Sequence, residues 1–274
     1  MRLMLKTYCG GILLTLSLVA CGGESIATHA PTLIPVNEAT NSQIPRVAEL
    51  ETKPLRFLAL GDSYTIGQSV TVSERWPIQL VRRMRDAGVV VSDPEIIAQT
   101  GWTTGDLSSA IDQVNPEGTY DIVSLLIGVN NQFRGLDVDQ YQTEFLALHQ
   151  RAVTLADGDP SHVIVISIPD WGVTPFAQGR NRRLIAEEID LFNSVNLTEA
   201  TRIGAPYVSV TGISRKALTE SNLIADDGLH PSGEMYSQWV DIVLPVAFEI
   251  SPVPTPKWPP EKCARNLAGE VVFN

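Results

Sequence analysis

The chain predicts an α/β fold, a doubly wound domain built on a five-stranded parallel sheet. Three observations carry this. Short continuous apolar runs end abruptly in Gly or Pro, as in Phe57-Leu58-Ala59-Leu60-Gly61 and Ile122-Val123-Ser124-Leu125-Leu126-Ile127-Gly128. Such runs suit strands buried on both faces, not the alternating pattern of a half-exposed sheet. Between them lie stretches with apolar residues at helical spacing. The strand–helix alternation then repeats over about 55–210, which implies right-handed crossovers and helices on both faces.

The elements follow in order. The first strand occupies Phe57 to Leu60. Trp76, Leu80, Val81 and Met84 share one helical face, and Arg82, Arg83 and Arg85 point elsewhere. Glu95 to Ala98 reads as the second strand and Asp106 to Val114 as a short helix. Asp121 to Ile127 is the third strand, followed by a loop and a helix over Val138 to Leu155. His162 to Ile168 is the fourth strand, ended by Pro169. Arg182 to Ile203 is a long helix and Tyr207 to Val210 the fifth strand. A last helix, Met235 to Phe248, is expected to bend or break at Pro245.

The 274 residues carry 20 Lys and Arg against 31 Asp and Glu, a formal charge of −11. This acidic balance argues against general nucleic-acid binding, which rests on basic contacts to phosphate. It also disfavours docking on anionic lipid through charge. No apolar run reaches the length of a membrane-spanning helix.

Arg2 and Lys6 precede the apolar stretch Ile12 to Ala20, the layout of a secretory signal over 1–20. The sequence Leu18-Val19-Ala20-Cys21 resembles the lipobox of bacterial lipoproteins. That resemblance implies cleavage before Cys21, lipidation of its thiol, and a lipid-anchored protein exported to the cell envelope. Gly22 in place of Asp leans the destination to the outer membrane, facing the periplasm, if the source is Gram-negative. Residues 21–53, rich in Thr, Ala, Pro, Ser, Asn and Glu, read as a flexible tether. Its coil reach is on the order of 30 Å. Residues 251–274 form a Pro-rich tail. Cys9 leaves with the signal and Cys21 is acylated, so Cys263 remains without a partner for an intramolecular disulfide.

Ligands of open α/β sheets bind beyond the carboxyl ends of the strands. There the sequence sets small or polar residues: Gly61-Asp62-Ser63-Tyr64 after the first strand, Gly101 after the second, Gly128-Val129-Asn130-Asn131 after the third, and Asp227-Gly228-Leu229-His230 in a late loop. These four blocks, in this order, resemble the SGNH/GDSL hydrolases, serine esterases with a three-layer flavodoxin-like fold. The similarity covers about 55–249 and makes 54–250 the hydrolase domain.

The resemblance implies roles residue by residue. Ser63 is the nucleophile, His230 the base that activates it, and Asp227 the acceptor that orients the imidazole. The backbone N–H groups of Ser63 and Gly101 and the side-chain amide of Asn130 are the implied oxyanion-hole donors. No metal or organic cofactor is implied, and the partner is a small-molecule, lipid or glycan ester. The family often has Asp where this chain has Asn131, which follows the oxyanion Asn. The G-x-S-x-G elbow of α/β-hydrolases is absent around Ser63. Acyl transfer or deacetylation on cell-envelope glycans would use the same residues. A catalytically idle, tethered binding domain is the alternative outside enzymes.

Other residues read more blandly. Asp226 is one position off the acid and reads as a solvated loop charge. Asp62 bonds local backbone. His149 and His162 are structural, and Asn196-Leu197-Thr198 inside a helix is noise. Trp102, Phe133, Trp171 and Phe176 fall near the presumed active edge, where lining a pocket and packing under loops are both open.

Overall fold

The computed structural model of the chain describes residues 53–251, together with the backbone of 264–265 and 271–272. The expected signal over 1–20, lipidation at Cys21, almost all of the tether and most of the tail lie outside these residues.

Five parallel strands form one sheet in the order β2-β1-β3-β4-β5. They are β1 Phe57–Gly61, β2 Glu95–Ala98, β3 Ile122–Leu126, β4 Val163–Ile166 and β5 Tyr207–Val208. In β1, β3 and β4 every residue is buried. The edge strand β2 buries only Ile97 fully, which explains its weaker apolar signature. Gly61 pairs with Ala98 on one side and with Leu126 on the other, so three strand ends finish level.

The helices are α1 Ser63–Ile66, α2 Trp76–Asp86, α3 Thr104–Val114, α4 Val129–Phe133, α5 Val138–Leu155, α6 Arg182–Ile203, α7 Thr211–Arg215 and α8 Gly233–Ile250. Helices α2 and α8 pack together on one face, and α5 packs against α3 and α6 on the other. In α2 the predicted stripe of Trp76, Leu80, Val81 and Met84 is buried. Arg83 pairs with Asp241 of α8 at 2.6 Å. Capping sets several helix starts: Asp137 accepts from the N–H groups of Asp139 and Gln140, Asn181 from Leu184, and Ser232 from Met235.

Several details depart from the sequence reading, among them the ends of β3, β4 and β5, which finish one or two residues earlier than expected. Helix α8 runs unbroken through Pro245. Its residues Ile242, Val243, Leu244, Val246, Ala247 and Phe248 are buried, and that packing outweighs the one backbone bond a proline forfeits. The segment after β3 is a short helix, α4, not an irregular loop. The fourth strand starts one residue later than expected, because Asp159 caps a 3₁₀ turn over Pro160–His162. In the tail, the backbone of β6 Ala264–Arg265 pairs antiparallel with β7 Val271–Val272, which the sequence did not suggest.

Candidate active site

Ser63 is the first residue of α1, immediately after Asp62 caps that helix from the end of β1. The first N–H groups of a helix have no intrahelical acceptor, so the Ser63 N–H is left to serve a ligand. Gly61 is required by crowding: a Cβ there would lie 2.2 Å from Thr65 Oγ1 and 2.5 Å from the Leu126 carbonyl.

The late loop brings the two partners to Ser63. His230 Nε2 lies 3.0 Å from Ser63 Oγ, and His230 Nδ1 lies 2.6 Å from Asp227 Oδ2. A carboxylate only accepts, so Nδ1 carries the hydrogen and Nε2 of the neutral ring is left as acceptor for the serine hydroxyl. Ser63 and His230 are both buried. Asp227 Oδ1 accepts from the N–H groups of Leu229 and His230, each at 2.9 Å, which folds the loop back on itself. Ser69 Oγ donates to Asp227 Oδ2 at 2.6 Å. Burial works against the Asp227 charge, but the bonds from Ser69, His230 and the two backbone N–H groups outweigh it and hold this carboxyl well below the usual range.

Beyond the level ends of β1, β2 and β3 lie the three expected oxyanion donors: Ser63 at the start of α1, Gly101 in a turn, and Asn130 in α4. Gly101 has a φ of +84°, a left-handed conformation that side chains rarely adopt. Among the described residues nothing accepts from its N–H. Its carbonyl accepts from Arg134 Nη2 at 2.6 Å, which pins the loop. Asn130 Nδ2 donates to the Trp102 carbonyl at 2.9 Å and stands 3.5 Å from Asp62 Oδ2. The second contact is at the long limit of a hydrogen bond, so that N–H is open to a better acceptor. Asn131 is buried and ties α4 to α3: it donates to Thr104 Oγ1 at 2.7 Å and accepts from the Thr104 N–H at 3.1 Å. An amide serves both directions at once, which a carboxylate in that position would not.

A recess of about 130 Å³ opens beside Ser63, Asn130 and His230, lined also by Tyr64, Val129, Phe133, Trp171, Phe176 and Leu229. Three of the four undecided aromatics therefore line a pocket. Trp102 does not; it packs partly buried against the core. Asp62 bonds local backbone as expected, accepting from the Tyr64 N–H at 3.0 Å, but it also sits fully buried beside Asn130. Burial pushes its carboxyl up to about 7 against the pull of the Tyr64 N–H and its own. Asp226 is exposed. His149 is buried with both ring nitrogens lacking partners, and His162 lies 3.9 Å from Asp159. Two residues escaped the sequence reading: Ser69 and Arg134 belong to no motif, and only the folded chain shows what they touch.

The model of the GDSL-like lipase/acylhydrolase family matches residues 59–238. No curated protein sequence matches the chain. Among solved structures, TesA superposes with a TM-score of 0.57 at 19% identity, over 71% of this chain and 99% of its own. The psychrotrophic esterase EstA from Pseudoalteromonas sp. gives 0.52 at 18% identity, over 71% and 97%. The acetyl xylan esterase Axe2 from Geobacillus stearothermophilus gives 0.52 at 18% identity, over 73% and 97%. At these identities the structural likeness speaks for the fold, and the family match spans all four sequence blocks. The chain belongs to the GDSL-like lipase/acylhydrolase family and is an ester-hydrolysing enzyme.

Proposed function

We propose that the protein is a serine esterase that cleaves carboxylic esters through an acyl-Ser63 intermediate. The observation that carries this reading is the unbroken relay from Ser63 Oγ through His230 to Asp227, with contacts of 3.0 and 2.6 Å. Ser63 Oγ attacks the ester carbonyl carbon, and His230 Nε2 takes the hydroxyl proton. The carbonyl electrons move onto oxygen, which meets the Ser63 and Gly101 N–H groups and the weakly held second N–H of Asn130. As the oxyanion collapses, the bond to the alcohol oxygen breaks and His230 hands that oxygen the proton. A water then loses a proton to His230 and attacks the acyl carbon. Ser63 leaves as the second oxyanion collapses and regains its hydrogen. Asp227 accepts from Nδ1 throughout, holding the tautomer and balancing the imidazolium.

Ser63→Ala is expected to abolish turnover of p-nitrophenyl acetate while the melting temperature stays near that of the parent. Undiminished turnover in that variant would sink the reading. A fluorophosphonate probe should label the parent and not the variant. For the leader, we infer lipidation at Cys21 from its sequence context. Incorporation of labelled palmitate that is lost in Cys21→Ser would support it, and incorporation that persists would overturn it.

A further inference from the structure

The recess beside Ser63 has a size and a wall that name the group it takes. Its volume is about 130 Å³. An apolar protein cavity of about 150 Å³ accommodates benzene, so this recess holds one such ring or a chain of similar bulk. One wall is three aromatic rings. Phe133 lies 5.3 Å from Trp171 and 6.1 Å from Phe176, and Trp171 lies 6.0 Å from Phe176, centroid to centroid. Tilted and edge-on packing of this kind leaves ring faces and edges available to a further ring.

The wall is held in two ways. Trp171 is buried, and its Nε1 donates to Gln132 Oε1 at 2.7 Å, while Gln132 Nε2 donates to Glu188 Oε2 at 2.7 Å. Phe133 and Phe176 are each 43% exposed and have no such anchor. Arg180 replaces it. Its guanidinium carbon stands 5.2 Å from the Phe133 centroid, 5.3 Å from Trp171 and 5.6 Å from Phe176. Among the described residues no carboxylate pairs with this guanidinium, although the chain is rich in acid. Arg180 is exposed, and of the described groups its guanidinium faces these three rings.

The acyl group stays bonded to Ser63 through both half-reactions, whereas the alcohol must diffuse away after the first. Space walled by the nucleophile, Asn130 and its helix neighbours Val129 and Phe133 suits the part that stays. We propose that this recess is an acyl subsite for compact groups, up to about six carbons or one aromatic ring, and that Arg180 is a specificity-determining residue that holds the aromatic wall closed. The proposal rests on the reading of Ser63 as nucleophile.

The test has two substrate arms. One varies the acyl group of p-nitrophenyl esters from acetyl to decanoyl and includes benzoyl. The other varies the alcohol of acetate esters from methyl to decyl. For the parent, kcat/KM should rise by up to about fourfold per methylene as far as hexanoyl, the increment expected for burying each one. It should accept benzoyl and fall at least tenfold by decanoyl, with little selection in the alcohol arm. Arg180→Ala should raise KM for hexanoyl and benzoyl roughly fivefold, the scale of losing a cation–π clamp. Its decanoyl-to-hexanoyl ratio of kcat/KM should rise. Arg180→Lys should restore much of the parent profile. Efficiency that climbs through decanoyl, a cut-off in the alcohol arm instead, or an Arg180→Ala profile superimposable on the parent would overturn the proposal. Turnover in Ser63→Ala would instead overturn the nucleophile assignment, so the two failures are distinct.

Discussion

Ser69 is the residue through which the proposed catalytic relay can be tested without touching any group that contacts substrate. Its Oγ donates to Asp227 Oδ2 at 2.6 Å, and its backbone sits at φ +67°. Ser69→Ala keeps the same backbone restriction and deletes only the hydroxyl. A hydrogen bond to a charged group is worth about 1.5–3 kcal/mol. The Asp227 side chain is 26% exposed, so water can refill the place, and the lower end, about 1–1.5 kcal/mol, applies. That corresponds to a loss of roughly five- to tenfold in kcat/KM. The pH dependence follows from the same bond. Burial raises the Asp227 carboxyl, and the bond from Ser69 heads the contacts that overcome it. Without the hydroxyl the carboxyl binds its proton more readily, but it starts so far below the usual range that it stays ionised above pH 4, so the deficit should hold across the whole range assayed. The assay is kcat/KM for p-nitrophenyl acetate from pH 4 to 9, with thermal melts alongside. Ser69→Gly loses the same bond but relieves the left-handed backbone, so it should melt above Ser69→Ala by the equivalent of about 1 kcal/mol. Parental kcat/KM in Ser69→Ala across that range would refute the reasoning.

Gly128→Ala places a Cβ 2.5 Å from Tyr141 Oη at a φ of +126°. It should cost at least about 2 kcal/mol in denaturant melts and lower kcat by displacing α4 with Asn130; an unchanged midpoint would count against the fit described. Asp62 is fully buried and its carboxyl is pushed up to about 7 by burial. The folded state thus holds this proton more tightly than the unfolded one, and stability should fall as pH rises from about 4 to 7, by up to about 4 kcal/mol. Asp62→Asn should remove that fall, and melts at pH 8 no higher than the parent's would contradict it. His149 has the opposite sign. Burial pushes it down to about 4, so stability is full above about 6.5 and is lost as pH drops towards 4, by about 3 kcal/mol. His149→Leu should flatten the acid limb of the melting curve, and an identical limb would exclude His149 as its source.

The strand ends were readable because the chemistry there excludes most residue types. The roles proposed for a nucleophile, a base, an acid and a close-approach glycine leave few choices of residue, and the family match spans all four blocks in order. The helices α5 and α6 were legible to the residue, since Asp137 and Asn181 cap their starts and Gly204 at φ +82° ends α6. What stayed hidden depends on contacts between distant segments. Ser69 reaches across 158 positions to Asp227, and no local pattern marks it. Arg134 has the composition of a surface cation, yet it holds the Gly101 carbonyl. Phe133, Trp171 and Phe176 were compatible with packing or with a pocket until their rings were placed beside Ser63. That α8 does not break at Pro245 stayed hidden because propensity is a local quantity and the burial of α8 is not.

The left-handed backbone positions separate structural from functional cause. Among the described residues, three that are not glycine have positive φ: Ser69, Asn115 and Asp157. Asn115 ends α3 as its cap, and Asp157 follows the cap of α5. Asn and Asp are the side chains that tolerate this conformation at helix ends, so both need no further reason. Ser69 ends no helix: Gly67, at φ +67°, already caps α1. At Ser69 a glycine would serve the backbone better, and the protein keeps a residue that is strained there. The side chain it keeps is the one that donates to Asp227. The strain that a glycine would relieve thus coincides with the hydroxyl that bonds Asp227, and under the proposed relay this makes Ser69 a positioning residue.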